Sequence, residues 1–217
     1  MNFIIISREK DNVLRGIVEA RIQPAVTKVA SILHKTGLTP NMLTFAGLGF
    51  NIAAAWLFYR GHVATAGFVI LFAGSFDMLD GAVARLGGTS SKIGAFTDSV
   101  VDRYSDFLIF GGVLCMFARK GDMTGVVLCL LILSGAFLVS YVRARAELVI
   151  PLCNVGLMER PERIILLAAG SLSGFLIPTL WALAILTHAT AFHRIYYTWK
   201  NGRPASEKIP KAENDSP

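Results

Sequence analysis

The chain has 217 residues, of which 53% are hydrophobic and only 17% are charged. Its apolar runs are too long and too numerous for the core of a soluble domain of this size, so an ordinary soluble protein is excluded and a polytopic helical membrane protein is predicted. The net charge is +6, but the basic residues lie in predicted loops. This favours contact with a membrane surface, and no nucleic-acid partner is expected.

The N-terminal segment, residues 1–35, is predicted to lie at the cytoplasmic membrane interface. Over residues 8–22, apolar side chains recur at helical spacing among basic ones. This is typical of an amphipathic helix lying on the membrane, with an ordinary charged N-terminal arm as the alternative. Pro24 opens a second amphipathic piece over residues 25–34. The short apolar patch at residues 3–6 precedes charge and has no cleavage-site pattern, so no signal peptide is expected.

Residues 36–200 are predicted to form one all-α bundle with six transmembrane helices. A span needs about 20 apolar residues. The predicted spans are approximately 42–59, 63–84, 93–118, 124–146, 162–176 and 178–199. The break between the fifth and sixth is placed near Pro178. Residues 201–217 are polar and rich in Pro, Ser, Lys and Glu, which predicts a disordered tail.

The distribution of Lys and Arg predicts the orientation. An even number of spans puts both termini on one side, together with the 85–92 turn and the basic 143–163 region. The other side carries only Arg60, Arg119 and Lys120. The positive-inside rule therefore predicts a multi-pass protein of the cell membrane whose termini face the cytoplasm.

The three cysteines Cys115, Cys129 and Cys153 are far apart and form no CxxC motif. Small buried hydrophobic side chains are the expected interpretation, in preference to a disulfide or a metal site.

Four aspartates lie between two apolar runs. Asp77 and Asp80 are three residues apart, and Asp98 and Asp102 are four apart, so each pair falls on one face of a helix. The polar segment 85–92 predicts a turn that brings the two pairs together near one membrane surface. Clustered carboxylates in a membrane need a counter-charge. A hard divalent cation with oxygen ligands, Mg²⁺ or Mn²⁺, is the natural one.

Two other interpretations of the aspartates stay open. They could cap helices or form ion pairs with Arg85 and Arg103. Intramembrane acids also occur in ion-coupled transporters, although the broken helices and pseudo-symmetric halves expected of such proteins are not visible in this sequence.

The spacing of the aspartates resembles the signature of the CDP-alcohol phosphotransferase family, and it matches at every defined position. The matching pattern is Asp77-x-x-Asp80-Gly81-x-x-Ala84-Arg85, then eight residues, then Gly94-x-x-x-Asp98-x-x-x-Asp102. A pattern with this many fixed positions is specific. The resemblance covers most of the chain except the polar tail. It implies transfer of a phosphatidyl-type group from a CDP-activated lipid such as CDP-diacylglycerol (CDP-DAG) to a hydroxyl, with release of CMP.

The resemblance also implies roles for individual residues. Asp77, Asp80 and Asp98 are expected to be metal ligands, and Asp102 the general base, also near the metal. The residues expected to contact the CDP-lipid are Thr39, Pro40, Asn41, Met42, Gly81, Arg85 and Ser91. Taken alone, the Thr-Pro-Asn stretch is also a plausible helix start, and the glycine is compatible with close helix packing.

Three arginines at different predicted cytoplasmic helix ends, Arg143, Arg163 and Arg194, can converge on a phosphate that the donor does not supply. Alternatively, any one of them could be a basic residue that flanks a membrane span and fixes its orientation. These stretches resemble the branch of the family that makes phosphatidylinositol phosphate or archaetidylinositol phosphate. The resemblance implies that the arginines bind the phosphate of inositol phosphate, with glycerol 3-phosphate as the alternative acceptor. It also implies a homodimer, for which Gly111 and Gly112 are candidate interface residues.

Overall fold

The structure is a computed structural model that describes residues 23–89 and 91–202. In these two ranges the chain forms seven helices and no strand. Helix α1 is described over residues 23–35. The others are α2 (Pro40–Tyr59), α3 (Val63–Leu86), α4 (Lys92–Arg119), α5 (Met123–Ala146), α6 (Arg160–Ser173) and α7 (Leu176–Asn201). The all-α prediction is confirmed for this part of the chain.

The helices form a bundle in which α2 packs against both α3 and α4. Helix α4 also packs against α5, α5 packs against α7, and α6 packs against α3 and α7. The main core lies between these helices and contains fully buried side chains such as Phe58, Ile70, Phe110, Leu167 and Leu180. Many large apolar side chains point outward instead, which suits helices that face lipid rather than water.

Four helices, α2, α3, α5 and α7, are long and apolar enough to cross a membrane. Helix α4 has 28 residues but carries charged side chains along its first half. Helix α6 has only 14 residues. The chain is therefore a helical protein with several candidate membrane spans, and length and composition identify four of the six that the sequence predicts.

The predicted helix starts and the 85–92 turn agree with the structure. Thr39 caps α2, its side chain accepting a hydrogen bond from the Met42 amide. Helix α3 ends at Leu86 and α4 begins at Lys92. The turn between them includes Gly88, whose φ of 61° is one that a glycine adopts without steric cost.

The break between the last two helices lies earlier than predicted. Helix α6 ends at Ser173, and Gly174, with φ 78°, provides its left-handed C-cap. Helix α7 begins at Leu176, so Pro178 lies in its first turn. Proline is tolerated there because the first amides of a helix have no intrahelical acceptor. The predicted break at Pro178 was therefore wrong by a few residues.

The remaining sequence predictions have mixed outcomes. The helix over residues 25–34 is confirmed. The amphipathic helix over 8–22 and the tail beyond residue 202 lie outside the described residues. Cys129 and Cys153 are buried as predicted, but Cys115 is exposed, so its prediction was wrong. Gly112 packs against the Ala55 backbone of α2 within the same chain.

Candidate active site

The four aspartates of the motif lie on two helices, as their spacing predicts. Asp77 and Asp80 are on α3, and Asp98 and Asp102 are on α4. Asp80 is buried, with 6% of its surface exposed, and the other three are partly buried. The cluster lies well inside both helices, where an uncompensated carboxylate is unfavourable. Each carboxylate therefore needs a nearby donor or cation.

Helix α2 supplies one such donor. The Thr44 hydroxyl donates a hydrogen bond of 2.6 Å to Asp80 Oδ2. One turn along the same helix is Gly47, where an added Cβ would lie 3.7 Å from Asp77 Oδ1. A hydroxyl and a glycine at this spacing let α2 approach the α3 carboxylates closely. The side of the cluster that faces α2 is thus fixed by the start of the first candidate span.

Helix α6 supplies a positively charged side chain, that of Arg160. The Arg160 guanidinium contacts Asp77 Oδ2 through Nη1, and the same Nη1 lies 2.6 Å from Asp102 Oδ1. Its Nε lies 3.8 Å from Oδ1 of Asp106, a further buried carboxylate one turn beyond Asp102. Only 9% of the Arg160 side chain is exposed. Arg160 therefore links the first carboxylate pair on α3 to the second pair on α4.

The donor chemistry of the cluster fits a hard divalent cation, because it offers several carboxylate oxygens. Asp98 Oδ1 is buried and has no hydrogen-bond partner within the described residues, so it is available as a ligand. No three acidic, histidine or cysteine side chains of residues 23–89 and 91–202 are grouped closely enough to hold a metal ion. Two of the four motif aspartates instead bind the Arg160 guanidinium.

The residues predicted to contact the CDP-lipid lie near the ends of α2, α3 and α4. Gly81 is one turn beyond Asp77, and a Cβ added there would meet only Arg85 Nη1, at 3.5 Å, among the described residues. Close helix packing therefore does not explain this glycine. Arg85 itself is exposed. The Ser91 hydroxyl caps α4, accepting a hydrogen bond of 2.9 Å from the Gly94 amide.

The Thr39–Met42 stretch has a local structural role. Thr39 and Pro40 form the N-cap and first turn of α2. Asn41 and Met42 are exposed. This confirms the helix-start interpretation and leaves contact with a nucleotide as a prediction.

A cavity of about 730 Å³ adjoins Asp102. It is lined by parts of α4, α5 and α7, by the loop before α6 and by the first turn of α6. The three predicted acceptor arginines, Arg143, Arg163 and Arg194, all line it. Residues from three separate helices thus converge on one space beside the candidate base. This is the convergence that the sequence predicts.

The charge of the cavity lining suits an anion. Five arginines line it, against three carboxylates: Arg103, Arg143, Arg160, Arg163, Arg194, Asp102, Glu147 and Glu159. Within the described residues, the Nε–H groups of Arg103, Arg160 and Arg163 are buried without a hydrogen-bond partner. Unpaired buried donors are costly unless a ligand or water satisfies them. The lining therefore has an excess of positive charge, which suits a phosphate.

The three acceptor arginines differ in how they are held. Arg163 is 1% exposed and its Nη2 lies 2.6 Å from Asp106 Oδ2. Arg194, equally buried, donates from Nη2 to Glu159 Oε1 at 2.9 Å and from its other nitrogens to backbone carbonyls. Arg143 is the most exposed of the three, with 40% of its side chain exposed.

Arg143 and Arg194 share one carboxylate. Arg143 Nη1 lies 3.4 Å from Glu159 Oε1, the same oxygen that Arg194 contacts. Glu159 is the residue before α6. It therefore ties the ends of α5 and α7 to the start of α6.

Sequence reasoning missed Thr44, Arg103, Asp106, Glu159 and Arg160 as members of the site. A signal existed for two of them, because Glu159 and Arg160 belong to the Glu-Arg-Pro-Glu-Arg run that simple topological flanks do not explain. Asp106 continues the spacing of Asp98 and Asp102 by one more turn. Nothing in the sequence indicated that Thr44 contacts an aspartate 36 residues away.

Comparison with known proteins agrees with this geometry. The chain is 35% identical over 195 residues to the archaetidylinositol phosphate synthase of Methanothermobacter thermautotrophicus, covering 87% of this chain and 94% of that protein. It also resembles the crystal structure of the Mycobacterium tuberculosis phosphatidylinositol phosphate synthase with CDP-DAG bound. That match has a TM-score of 0.76 and 33% identity, and it covers 85% of this chain and 98% of the other.

The same mycobacterial enzyme in complex with manganese and citrate matches with a TM-score of 0.75, over 85% of this chain and 93% of that one. The family model described as CDP-alcohol phosphatidyltransferase matches residues 37–197, which include every element from α2 to nearly the end of α7. The chain is a member of the CDP-alcohol phosphatidyltransferase family.

Proposed function

We propose that this protein is a membrane enzyme that transfers the phosphatidyl group of CDP-DAG to inositol phosphate and releases CMP. The observation that carries the proposal is the arginine-lined cavity beside Asp102, which supports an anion-binding role for the space next to the carboxylate cluster. The relatives named for inositol-phosphate lipids, at 33–35% identity, support the choice of acceptor.

Asp77, Asp80, Asp98 and Asp102 are proposed to hold Mg²⁺ or Mn²⁺. The manganese complex of the mycobacterial relative supports a divalent cation at the site. When bound, such a cation neutralises phosphate oxygens and stabilises the charge that develops as the bond to CMP breaks. Thr44 holds Asp80 in one orientation from the α2 side.

Asp102 is proposed to accept the proton of the attacking hydroxyl. The hydroxyl oxygen of the acceptor bonds to the phosphorus that carries diacylglycerol. The phosphoanhydride bond to CMP breaks, CMP leaves with the bonding electron pair, and the hydroxyl proton passes to Asp102. Asp102 suits this role because it borders both the carboxylate cluster and the cavity.

The two substrates are proposed to occupy different sides of Asp102. CDP-DAG lies against Gly81 and Arg85, near Ser91 and the Thr39–Met42 helix start, where the open face of Gly81 lets a nucleotide approach the backbone. Inositol phosphate lies in the cavity, with its phosphate on Arg143, Arg163 and Arg194.

We propose that α4 and α6 complete a set of six transmembrane helices, with an interfacial N-terminal helix. Both helices pack between the apolar ones. The site is proposed to face the cytoplasm. Arg119 donates a hydrogen bond of 3.2 Å to the Tyr59 carbonyl, so the turn after α2 and the turn after α4, which carry few basic residues, lie at the same end of the bundle.

A homodimer is proposed from the family resemblance, and the face of α4 at Gly111 is open for it.

The test is an acceptor panel with purified protein, CDP-DAG and Mg²⁺, scored by CMP release and by the mass of the product lipid. Inositol phosphate should give the phosphatidylinositol phosphate product, and free inositol should not react, because it lacks the phosphate that the arginines bind. A glycerol 3-phosphate product would change the acceptor but keep the reaction. A parallel panel with CDP-archaeol tests the donor. No metal-dependent CMP release with any donor and acceptor pair would refute the enzyme.

A further inference from the structure

Arg160 lies between the carboxylates of α3 and those of α4. Its Nη1 contacts both Asp77 and Asp102, and these two aspartates come from different helices. Arg103, the other arginine near Asp102, makes a longer contact of 3.5 Å to the opposite oxygen and does not reach α3. Within the described residues, Arg160 is the side chain that joins the two halves of the aspartate motif through charge.

This contact uses the oxygens that a divalent cation would need. Asp77 Oδ2 and Asp102 Oδ1 face the guanidinium at ion-pair distance. A carboxylate oxygen that accepts a charged hydrogen bond from an arginine is not free to ligate a cation from the same direction. Arg160 and a cation are therefore alternative partners for Asp77 and Asp102.

Asp106 gives Arg160 a second anion. Its Oδ1 lies 3.8 Å from Arg160 Nε and has no hydrogen-bond partner in the described part of the chain, while its Oδ2 binds Arg163. Asp106 lies outside the family motif. A short movement of the guanidinium toward Asp106 would keep Arg160 paired after it leaves Asp77 and Asp102.

We propose that Arg160 is a positioning residue that serves as an internal counter-ion of the carboxylate cluster, and that a divalent cation displaces it from Asp77 and Asp102. The inference rests on the proposed metal role of these aspartates. Without the cation, Arg160 joins α3 to α4 and screens the repulsion between the carboxylates of the two helices. With the cation, it moves to Asp106.

The test measures Mn²⁺ binding to purified protein without substrates, by the electron paramagnetic resonance signal of free Mn²⁺. Arg160→Gln should bind Mn²⁺ at least tenfold more tightly than wild type, because the competing cation is gone. Arg103→Gln is the matched control, because it also removes a positive charge near Asp102 but breaks no bridge. Its affinity should change by only a few-fold. Asp77→Asn should bind Mn²⁺ more weakly than wild type.

Thermal unfolding gives a second readout. Without metal, Arg160→Gln should unfold at a lower temperature than wild type, and saturating Mn²⁺ should raise its unfolding temperature by more than it raises that of wild type. If Arg160→Gln fails to fold, Arg160→Lys, which keeps the charge but not the fork that reaches two helices, should still bind Mn²⁺ several-fold more tightly than wild type.

The outcomes separate the two proposals. Equal or weaker Mn²⁺ affinity in the Arg160 variants would overturn the counter-ion role, and so would an equal gain in Arg103→Gln, because charge alone would then explain the effect. Mn²⁺ binding that is absent in wild type or unaffected by Asp77→Asn would overturn the proposed metal site itself, and the counter-ion role with it.

Discussion

The Thr44 hydroxyl on α2 donates a 2.6 Å hydrogen bond to Oδ2 of Asp80 on α3. Both residues are buried, at 5% and 6% exposure. The Thr44 hydroxyl oxygen also lies 3.2 Å from the Pro40 carbonyl oxygen, the alternative acceptor for its single proton. The hydrogen bond to Asp80 therefore joins the start of α2, which resembles the family, to the carboxylates of the family signature.

Thr44→Val should test this connection. It keeps the shape of the side chain but removes the donor, and a lost hydrogen bond to a buried carboxylate costs about 1.5–3 kcal/mol. We expect a lower free energy of unfolding in detergent and a lower turnover. Thr44→Ser keeps the hydroxyl and should stay near wild type in both. Equal behaviour of the two variants would show that the hydrogen bond is unimportant.

Gly81→Ala should separate helix stability from donor binding. Alanine stabilises a helix interior by up to about 1 kcal/mol relative to glycine, and the new Cβ would meet only the flexible end of Arg85. We expect unchanged or higher stability together with a raised KM for CDP-DAG. Gly49→Ala on α2 is the control, since nothing described lies within 4 Å of its added Cβ; it should leave that KM unchanged. An unchanged KM in Gly81→Ala would remove this glycine from the donor site.

Asp102→Asn should separate base catalysis from substrate binding. Loss of a general base lowers turnover by roughly 10²–10⁴-fold, while binding of CDP-DAG, measured directly with the purified protein, should stay near wild type. Asp98→Asn should act chiefly through the cation and raise the Mg²⁺ concentration needed for half-maximal activity, because Asp98 Oδ1 makes no hydrogen bond within the described residues. Wild-type turnover in Asp102→Asn would assign the proton to another group.

Arg143→Ala should test the acceptor site. Its side chain is partly exposed and can be removed without leaving a buried charge, whereas Arg163→Ala would strand Asp106 in the bundle. Loss of a charged hydrogen bond should raise the KM for inositol phosphate by about tenfold or more and leave the KM for CDP-DAG unchanged. Arg145→Ala, at an exposed position outside the cavity, is the control. Equal effects of both variants would identify topological flanks rather than a binding site.

Helical spacing explains why so much of the site could be predicted. It places Asp77 with Asp80, and Asp98 with Asp102, from the local sequence alone, and the structure confirms both helices. The contact of Arg160 with Asp77 spans 83 residues. That proximity comes from the packing of α6 against α3, and such packing cannot be inferred directly from a single sequence.

Hydropathy identifies only some of the six predicted membrane spans. Hydropathy identifies helices that are apolar all round, such as α5 with a mean hydropathy of 2.4 in its best window. Helix α4 carries Asp98, Asp102 and Asp106, and the 14-residue α6 carries Arg160 and Arg163, so these charged side chains lower the mean hydropathy of both helices. The shift of the last break from Pro178 to Gly174 has a different cause, since proline fits the first turn of a helix as well as it ends one.

The shortness of α6 has a consequence for how the substrates meet. Its 14 residues are about 21 Å long, less than the roughly 30 Å of a bilayer's hydrocarbon core. It begins at the level of Asp102, whereas α4 extends from Asp102 back to Lys92, about 15 Å further. The first turn of α6 therefore lines the deep end of the cavity, and residues 92–102 of α4 extend beyond it. If the proposed sites are correct, we expect a water-soluble acceptor to enter from the end of the bundle that α6 does not reach, and a lipid donor to reach the same depth from the side.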